Sequence, residues 1–445
     1  MPQLQRPLDH VTPYDRFTWS DVEIEGLLAS AGHREELTAY FGPKEYRELA
    51  RLARRAAQTP VTRGRPHVII VPGVMGSQLG LARAAPLPND ILWLDPIDIQ
   101  LGRLAALRLP GAAPIIPLGM VLFYYLRLRL QLRAAGFVTV CHDYDWRLGL
   151  EELGRGLAQR LQAEPGERLA VIAHSLGGLV SRAALGLQRL DRLERLILLG
   201  TPCYGSFAPV QALRGTYAVV RKLATLDMGS SAETLAGEVF STFPSLYHLL
   251  PWGRCEGELD LFDASQWPVS GPQPDRELLA QGRAARGLLA LPDERCVAIA
   301  GVGQETVTGL ARRDDDFVYT ITRHGDGTVP VVSAELAGAS QYYVSLSHSD
   351  LTRDDTVVSA VIDLLDKGVT RRLARRWASN SLAMAQVSDR QLRHTHVSKV
   401  DWGRLEPEER RQFLQSLNES PRLQLRVPAQ THLRKTGGST GGAAR

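Results

Sequence analysis

Residues 169–180, LAVIAHSLGGLV, decide the fold. An apolar, β-prone run enters His174-Ser175 and continues at once into a helix-like run, which predicts a strand, a sharp turn and a helix. The turn strains the backbone at the serine, and side chains two residues before and after it would collide, so both positions must be small. Ala173 and Gly177 meet this requirement. We therefore predict that Ser175 is a nucleophile at the carboxyl end of a strand; the alternative is a serine that merely caps the helix.

Short apolar runs recur along the chain and alternate with helix-like segments. Uninterrupted runs of about five residues are typical of parallel strands that are covered on both faces. The runs lie at 67–71, 137–141, 169–173, 193–199, 296–300 and 342–346. The helix-like segments between them lie at 124–135, 150–162, 177–188 and 354–365. This alternation predicts an α/β fold with a mostly parallel central sheet and flanking helices.

Composition separates an N-terminal part from the strand-bearing part. Residues 1–65 are predicted to form a helical extension, in which Ser20 and Glu23 have the spacing of a capping box. Residues 66–368 carry the alternation of strands and helices. The alternation of strands and helices is interrupted at about 207–291. The mixed aromatics, prolines and glycines of this range predict a cap inserted over the sheet.

The C-terminal part differs from the rest in charge. From Gly368 onward, 15 Lys and Arg stand against 6 Asp and Glu, a net +9, which leaves −5 for the preceding residues out of the total of +4. Residues 369–435 are predicted to be helical without further strands, and the Gly-, Ser- and Thr-rich residues 436–445 to be disordered. The basic face of this helix is either exposed to solvent or makes a peripheral contact with anionic lipid. Four arginines would make that contact, three of them on one helix face: Arg371, Arg372, Arg375 and Arg376.

The overall composition is that of an ordinary globular protein. Hydrophobic residues make up 44% of the chain, so a large core needs neither a cofactor nor disulfides. A net charge of +4 is too small to predict binding to nucleic acid. The four cysteines match no zinc or CxxC spacing, and no metal or cofactor is expected. The first residues contain no apolar signal segment, which predicts a cytoplasmic protein.

A serine nucleophile needs a general base, and a histidine that follows the serine in the chain is expected to supply it. His348 comes directly after the strand-like run 342–346, which is where such a base should lie. His248 falls within the predicted cap, and His394 falls in the C-terminal extension. We therefore predict that His348 is the base; a surface histidine without function is the alternative.

The acid that orients the base is expected between the serine and the histidine. Asp326 lies between two glycines, so its carboxylate can emerge from a tight loop and hold the imidazole in one tautomer. An Asp-Gly turn without a catalytic role is the alternative. Asp350 is too close to His348 in the chain, and the acidic cluster at 314–316 is typical of a solvated loop.

The first predicted strand ends in VPGVMGSQL, residues 71–79. A glycine-rich turn at the carboxyl edge of a sheet can direct a backbone N–H toward the nucleophile and stabilise a developing oxyanion. We predict Val74 as this donor, with Met75 as the alternative. The Leu176 N–H, at the start of the helix after Ser175, would be the second donor. A plain turn at the end of the strand is the other interpretation.

At these residues the chain resembles the lecithin:cholesterol acyltransferase family, which includes lysosomal phospholipases and bacterial lipase-like relatives. Eight elements agree in order over roughly residues 66–366. They are VPGVMGSQL (71–79), WLD (93–95), YDWR (144–147), AHSLG (173–177), GTPCYGS (200–206), FPSLYHLLP (243–251), GDGTV (325–329) and HSDL (348–351).

The resemblance implies the α/β-hydrolase fold, with Ser175, Asp326 and His348 as the triad. It implies that the Val74 and Leu176 N–H groups form the oxyanion hole. It also implies hydrolysis or transfer of acyl chains of glycerophospholipids and related esters through an acyl-serine intermediate.

Two other functions agree with the same residues. A soluble esterase or thioesterase would use the triad on small substrates, and a catalytically silent relative would only bind its ligand. Apolar side chains of the cap favour a long acyl group, unless they pack the cap's own core. They are Phe243, Leu246, Tyr247, Leu249, Leu250 and Trp252.

Overall fold

The structure, a computed structural model, describes residues 11–255, 257–378, 385–394 and 398–417. The strands of these residues are β1 (His67–Val71), β2 (Ser77–Leu81), β3 (Asp90–Trp93), β4 (Ile116–Met120), β5 (Thr139–Cys141), β6 (Leu169–His174), β7 (Leu193–Leu199), β8 (Cys296–Gly301), β9 (Thr306–Arg313), β10 (Asp316–Thr322), β11 (Ser340–Val344) and β12 (Ala385–Ser388). The α-helices are α1 (Asp21–Ser30), α2 (Arg34–Phe41), α3 (Pro43–Gln58), α4 (Pro96–Gln100), α5 (Leu122–Ala134), α6 (Leu150–Ala163), α7 (Leu176–Leu187), α8 (Ala208–Leu213), α9 (Ala218–Leu226), α10 (Ala232–Glu238), α11 (Pro244–His248), α12 (Arg276–Ala284), α13 (Val331–Ala334), α14 (Asp355–Lys367), α15 (Asp389–His394) and α16 (Pro407–Ser416).

The central sheet is parallel and has the strand order β11-β8-β7-β6-β1-β5. β6 is buried at every position, as expected of a strand covered on both faces. β1 pairs with β6 along its whole length, with Ile69 opposite Val171. After β1 the chain forms β5, which lies on one side of β1. It then forms β6 on the other side of β1, and β7 and β8 extend the sheet in that direction. The carboxyl ends of β1 and β6 therefore meet where the strand order reverses, which is where open α/β sheets bind ligands.

The predicted α/β class, with a mostly parallel sheet and flanking helices, is confirmed. All six predicted strands are present, although β5 is shorter than expected. β11 begins at Ser340 and ends at Val344, two residues before the predicted 342–346, because its register is set by pairing with β8. The four helix-like segments form α5, α6, α7 and α14, with ends that differ by at most two residues.

Two small antiparallel sheets were not predicted, with the orders β12-β10-β9 and β3-β2-β4. The acidic residues at 314–316 include the turn of the β9–β10 hairpin, where Asp314 has φ 53°. The sequence does carry a signal for this hairpin. β10 reads DFVYTIT, and its burial alternates along most of its length, which is typical of a strand with one solvated face.

The N-terminal helices pack against α5. The capping box of Ser20 and Glu23 is confirmed at the start of α1. The rings of Tyr40 and Phe123 stack at a centroid distance of 4.2 Å. The described part of the extension is thus attached to the catalytic sheet through a helix that also supplies a residue to the candidate site.

The prediction that the chain continues directly as an arginine-rich helix after Gly368 is wrong for residues 369–378. Residues 369–378 contain no helix. The backbone of Ala374 pairs instead with Tyr343 at the open edge of the central sheet. An edge strand offers unpaired N–H and C=O groups, and pairing with them outweighs intrinsic helix propensity here. The arginines of this segment therefore do not share a helix face.

The expectation of no further strands is also wrong, because β12 pairs antiparallel with β10. α15 and α16 follow as separate short helices. The predicted disordered tail, 436–445, lies outside the described residues. No helix in the described part of the chain is long and apolar enough to cross a membrane.

The predicted cap range, 207–291, contains α8 to α12 and, among its described residues, no strand. Of the six apolar cap side chains named in the sequence analysis, Trp252 is half-buried and the other five are buried in the core. This outcome favours the interpretation that they pack the cap rather than line an acyl site. The buried Arg214, which directly follows α8, pairs with the buried Asp389 of α15 at 2.8 Å, which joins the cap to the C-terminal segment.

Candidate active site

Ser175 occupies the predicted sharp turn between β6 and α7. Its φ of 54° and ψ of −124° are strained values for a residue with a side chain. A Cβ atom at Gly177 would lie 2.4 Å from the Val71 oxygen, so glycine is required there. The Ser175 N–H donates to the Leu199 oxygen at 3.0 Å, which fixes the turn against β7. The predicted strand, turn and helix are confirmed, and the helix N-terminus begins directly after the serine.

His348 and Asp326 form a buried hydrogen-bonded pair. His348 Nδ1 lies 2.7 Å from Asp326 Oδ2, and the His348 backbone N–H donates to the Asp326 backbone oxygen at 2.9 Å. The other carboxylate oxygen accepts the N–H groups of Thr328 and Val329 at 2.9 and 2.7 Å. Because an ionised carboxylate is acceptor-only, Nδ1 carries the proton and Nε2 is left as a basic lone pair. Among the described residues, none bonds to this Nε2.

Glycines at the carboxyl ends of three strands allow these groups to approach each other. A Cβ atom at Gly200, after β7, would lie 3.0 Å from both Asp326 Oδ2 and His348 Nδ1. A Cβ atom at Gly301, the end of β8, would lie 2.6 Å from the Asp326 Cβ. One at Gly73, after β1, would lie 2.8 Å from the Ser175 Cβ. The sheet edge therefore brings together the serine, the acid and the loop after β1.

The predicted oxyanion donors belong to two segments at Ser175: Val74 follows Gly73, whose Cβ would lie 2.8 Å from the Ser175 Cβ, and Leu176 begins α7 directly after the serine. The turn after β1 is closed by the Gly76 N–H, which donates to the Gly73 oxygen at 3.0 Å. No described residue accepts a hydrogen bond from the N–H of Val74 or of Leu176. Met75, the alternative donor, has φ 62°, and its oxygen accepts the indole N–H of Trp93. The arrangement leaves the Val74 and Leu176 N–H groups able to bind an anionic oxygen, and their role stays a prediction.

Two residues near the site were not predicted. His174 precedes the serine, and its ring centroid lies 4.7 Å from that of His348. Its Nδ1 lies 2.9 Å from the hydroxyl of Tyr125, which is contributed by α5. The elbow motif leaves the position before the serine unspecified, so the motif gave no reason to select His174. Tyr125 lies 49 residues away in the chain and carries no local signal.

The alternative bases and acids lie elsewhere or are engaged. His248, at the end of α11, accepts the Leu150 N–H at 3.0 Å. Burial lowers the pKa of His248 to about 4, so it stays neutral, and it lies in the cap. Asp350 bonds to the Ser347 hydroxyl and to Arg353. Within the described residues, no group of three or more His, Cys, Asp or Glu could hold a metal ion.

A cavity of about 1910 Å³ lies away from these residues. The N-terminal segment, the loop after β3, the cap and the C-terminal segment line it, and none of Ser175, Asp326 and His348 does. Those three side chains are buried, with exposed fractions of 6%, 1% and 9%. We assign no substrate to this cavity, because the reactive groups do not open into it.

Comparison with known proteins gives one family match and several structural neighbours. The family model described as lecithin:cholesterol acyltransferase matches residues 134–271. No curated protein sequence is similar to this chain at a significant level. The mature lipase BlEst2 of Bacillus licheniformis is 15% identical, with 69% of this chain and 94% of that chain covered and a TM-score of 0.36. The Tle4–Tli4 complex is 13% identical, with 69% and 99% covered and a TM-score of 0.45. Carboxylesterase CesB of Bacillus subtilis is 9% identical, with 73% and 100% covered and a TM-score of 0.30.

The family match contains the strained Ser175 and most of the predicted cap, and the sheet that carries them is parallel with helices on its flanks. The predicted resemblance is thereby confirmed over the matched residues. The chain has an α/β fold with a mostly parallel central sheet, and over residues 134–271 it is similar to the lecithin:cholesterol acyltransferase family.

Proposed function

We propose that this protein is a serine hydrolase or O-acyltransferase that acts on acyl-ester lipids through an acyl-serine intermediate. The observation that carries the proposal is the His348–Asp326 pair, with an unbonded Nε2, at the sheet edge that also presents the strained Ser175. A buried carboxylate and a histidine with a free nitrogen, next to a serine at a sharp turn, are the groups that acyl transfer requires.

The reaction begins when the Ser175 oxygen attacks the ester carbonyl and Nε2 of His348 takes the hydroxyl proton. Asp326 stabilises the resulting imidazolium without taking its proton. The Val74 and Leu176 N–H groups stabilise the oxyanion of the tetrahedral intermediate. This intermediate collapses as the leaving alcohol receives the proton from His348, which leaves an acyl-serine. Water or an acceptor alcohol then gives a proton to His348 and attacks the acyl group. As the acyl bond to Ser175 breaks, His348 returns that proton to the serine oxygen, which restores both residues.

The lipid substrate is supported by the family match, since that family is named for an acyl transfer from lecithin. The cap does not add to this support, because its apolar side chains are mostly buried in the core. This observation favours a second candidate, a soluble carboxylesterase or thioesterase with small substrates. Both candidates use the same triad and differ in the acyl chain that they accept.

One experiment separates these possibilities. The protein and Ser175→Ala are incubated with mixed phospholipids, neutral lipids and short-chain esters, and the products are identified by mass. Free fatty acid indicates hydrolysis, and a new ester indicates transfer to an alcohol. Consumption of short-chain esters but of no lipid would support the soluble esterase. If no substrate in the mixture gave a product that depends on Ser175, the proposal would be contradicted.

A peripheral membrane contact through the basic C-terminal segment is part of the same proposal. Arg371 and Arg376 are exposed. Arg372 is paired with Asp363 at 2.9 Å, which neutralises one of the four charges locally. The segment therefore offers fewer free charges to a lipid surface than its sequence suggests. Anionic lipid would still attract the exposed arginines.

A further inference from the structure

A chain of hydrogen bonds runs from the loop after β1 to the backbone of His348. The hydroxyl of Tyr125, which is 2% exposed, lies 2.9 Å from the Gly73 nitrogen and 2.9 Å from His174 Nδ1. His174 Nε2 lies 3.1 Å from the backbone oxygen of His348. Gly73 directly precedes a predicted oxyanion donor, and His174 directly precedes the nucleophile. The chain thus connects three loops that the reaction needs.

One assignment of protons satisfies every group in this chain. The Gly73 N–H can only donate, so the Tyr125 oxygen accepts it and the phenol proton goes to His174 Nδ1. The backbone oxygen of His348 can only accept, so His174 Nε2 must carry a proton. A neutral imidazole with its proton on Nε2 meets both demands. Burial, and secondarily the neighbouring His348, hold the pKa of His174 well below its ordinary value, which keeps the ring in that neutral form.

The backbone of His348 is therefore held on both sides. Its N–H donates to the Asp326 backbone oxygen at 2.9 Å, and its carbonyl accepts from His174. With Nδ1 bonded to the Asp326 carboxylate, little freedom remains in the placement of Nε2. Loss of the bond from His174 would release the carbonyl while leaving the acid in place.

We propose that His174 and Tyr125 are positioning residues that fix the loop after β1 and the general base relative to Ser175. Neither residue touches the reacting atoms in this arrangement. They act through Gly73 on the oxyanion donor and through the His348 carbonyl on the base. The inference rests on the proposed ester chemistry, and it assigns a role to the residue that the elbow motif leaves unspecified.

The first test is Tyr125→Phe, which removes one hydroxyl and retains the ring. The Gly73 N–H and His174 Nδ1 then lose their partner. The loop after β1 and the general base, His348, are therefore no longer connected through one hydroxyl group. We expect kcat for a p-nitrophenyl ester to fall by about tenfold to a hundredfold, with KM changed by less than about twofold. An unchanged kcat, or a change confined to KM, would overturn the positioning role.

Tyr247→Phe is the matched control. The Tyr247 hydroxyl is equally buried; it donates to the Ser241 oxygen at 2.7 Å and accepts the Asp275 N–H at 2.9 Å, within the cap. Both variants lose the same group and the same number of hydrogen bonds. We expect similar losses in Tm, with kcat unchanged in the control. Equal losses of kcat in the two variants would show that destabilisation alone explains the effect of Tyr125→Phe.

A conservative variant tests His174 itself. The amide of Gln in His174→Gln can still donate to the His348 carbonyl, whereas Leu in His174→Leu cannot. We expect His174→Gln to retain several-fold more kcat than His174→Leu. Equal losses in the two folded variants would contradict a role for this hydrogen bond.

A readout without substrate separates this inference from the proposed function. The Nδ1 proton of His348, in its 2.7 Å bond to Asp326, can be followed by proton NMR with ¹⁵N-labelled histidine. We expect its signal to shift or broaden in Tyr125→Phe and to stay unchanged in Tyr247→Phe. If the wild-type protein consumes no ester, the proposed function fails, and the NMR comparison still decides the positioning role. An identical signal in all three proteins would overturn it.

Discussion

Two of the buried aspartates in this protein, one paired with a histidine and one with an arginine, separate a reactive pair from a structural one. Asp326 faces His348 at the sheet edge, and Asp389 faces Arg214 between the cap and the C-terminal segment. Both carboxylates also accept further hydrogen bonds. Asp326 accepts two backbone N–H groups, and Asp389 accepts the hydroxyls of Tyr319 and Thr216.

The pairs differ in whether the basic partner keeps a nitrogen without a hydrogen bond. The guanidinium of Arg214 uses Nε for Asp389 and its terminal nitrogens for three carbonyls, those of Pro268, Ser270 and Pro272. His348 bonds through Nδ1 and leaves Nε2 without a partner among the described residues. A pair in which every nitrogen of the basic partner is bonded stabilises the fold, whereas a pair with one free nitrogen can move a proton.

Removal of Ser175 or His348 should have the largest effect. We expect Ser175→Ala and His348→Ala each to lower kcat on the order of 10⁵- to 10⁶-fold, because the groups of a triad act as a unit. For the same reason, the double variant should be no slower than either single variant. Steady-state kinetics with an activated ester measures all three proteins. Losses that add in the double variant would contradict a shared catalytic role.

Asp326→Asn should have the next largest effect. Asn keeps an oxygen for the Thr328 and Val329 N–H groups, so we expect the fold to persist with a normal far-ultraviolet circular dichroism spectrum. The amide cannot hold His348 in the required tautomer or stabilise the imidazolium, and kcat should fall about 10⁴-fold. A loss of less than tenfold would assign the pair to structure rather than to catalysis.

Arg214→Met tests whether the buried Arg214–Asp389 pair stabilises the fold. The variant leaves Asp389 buried without its main partner, which should reduce the free energy of unfolding by about 3–5 kcal/mol. Urea unfolding measures the loss. Arg254→Met is the control, since the Arg254–Glu335 pair is partly exposed and 3.4 Å apart. It should cost no more than about 1 kcal/mol. Equal losses in the two variants would contradict the importance of burial for the Arg214 pair.

The smallest expected effect concerns the basic C-terminal segment. The double variant Arg371→Glu, Arg376→Glu should co-sediment several-fold less with phosphatidylserine vesicles, since each basic residue near such a surface contributes on the order of 1 kcal/mol. The difference should disappear at high salt. Arg155→Glu with Arg189→Glu is the control, because both arginines are exposed and the change in net charge is the same. Equal binding of the two double variants would show that net charge alone matters.

The site residues that the sequence predicted share a local signature. The sharp turn at Ser175 requires small residues two positions before and two positions after the serine, and these positions can be read directly from the sequence. Asp326 followed from its order after the serine and from the glycines on either side of it, and His348 from its place after a strand-like run. Their hydrogen bond is a structural observation that agrees with this prediction. Local sequence and tertiary placement coincide at these strand ends because short loops follow directly from the strands.

The remaining features depend on contacts between distant residues. Tyr125 lies near the start of α5, and nothing near it in the sequence distinguishes it from the core residues that surround it. Residues 369–378 have the composition of a helix, but they contain no helix, and the backbone of Ala374 pairs with Tyr343 at the open edge of β11. Helix propensity is a weak preference, and an unpaired strand edge competes with it successfully.

Covalent labelling with a fluorophosphonate, followed by mapping of the modified peptide by mass spectrometry, tests most directly whether Ser175 is the nucleophile. We expect one label per chain, on Ser175, because among the serines that the structure describes it is the one next to a candidate base and predicted oxyanion donors. Ser175→Ala should take up no label, and Asp326→Asn should be labelled much more slowly. Stoichiometric labelling of another serine, or labelling that persists in Ser175→Ala, would show that Ser175 is not the nucleophile.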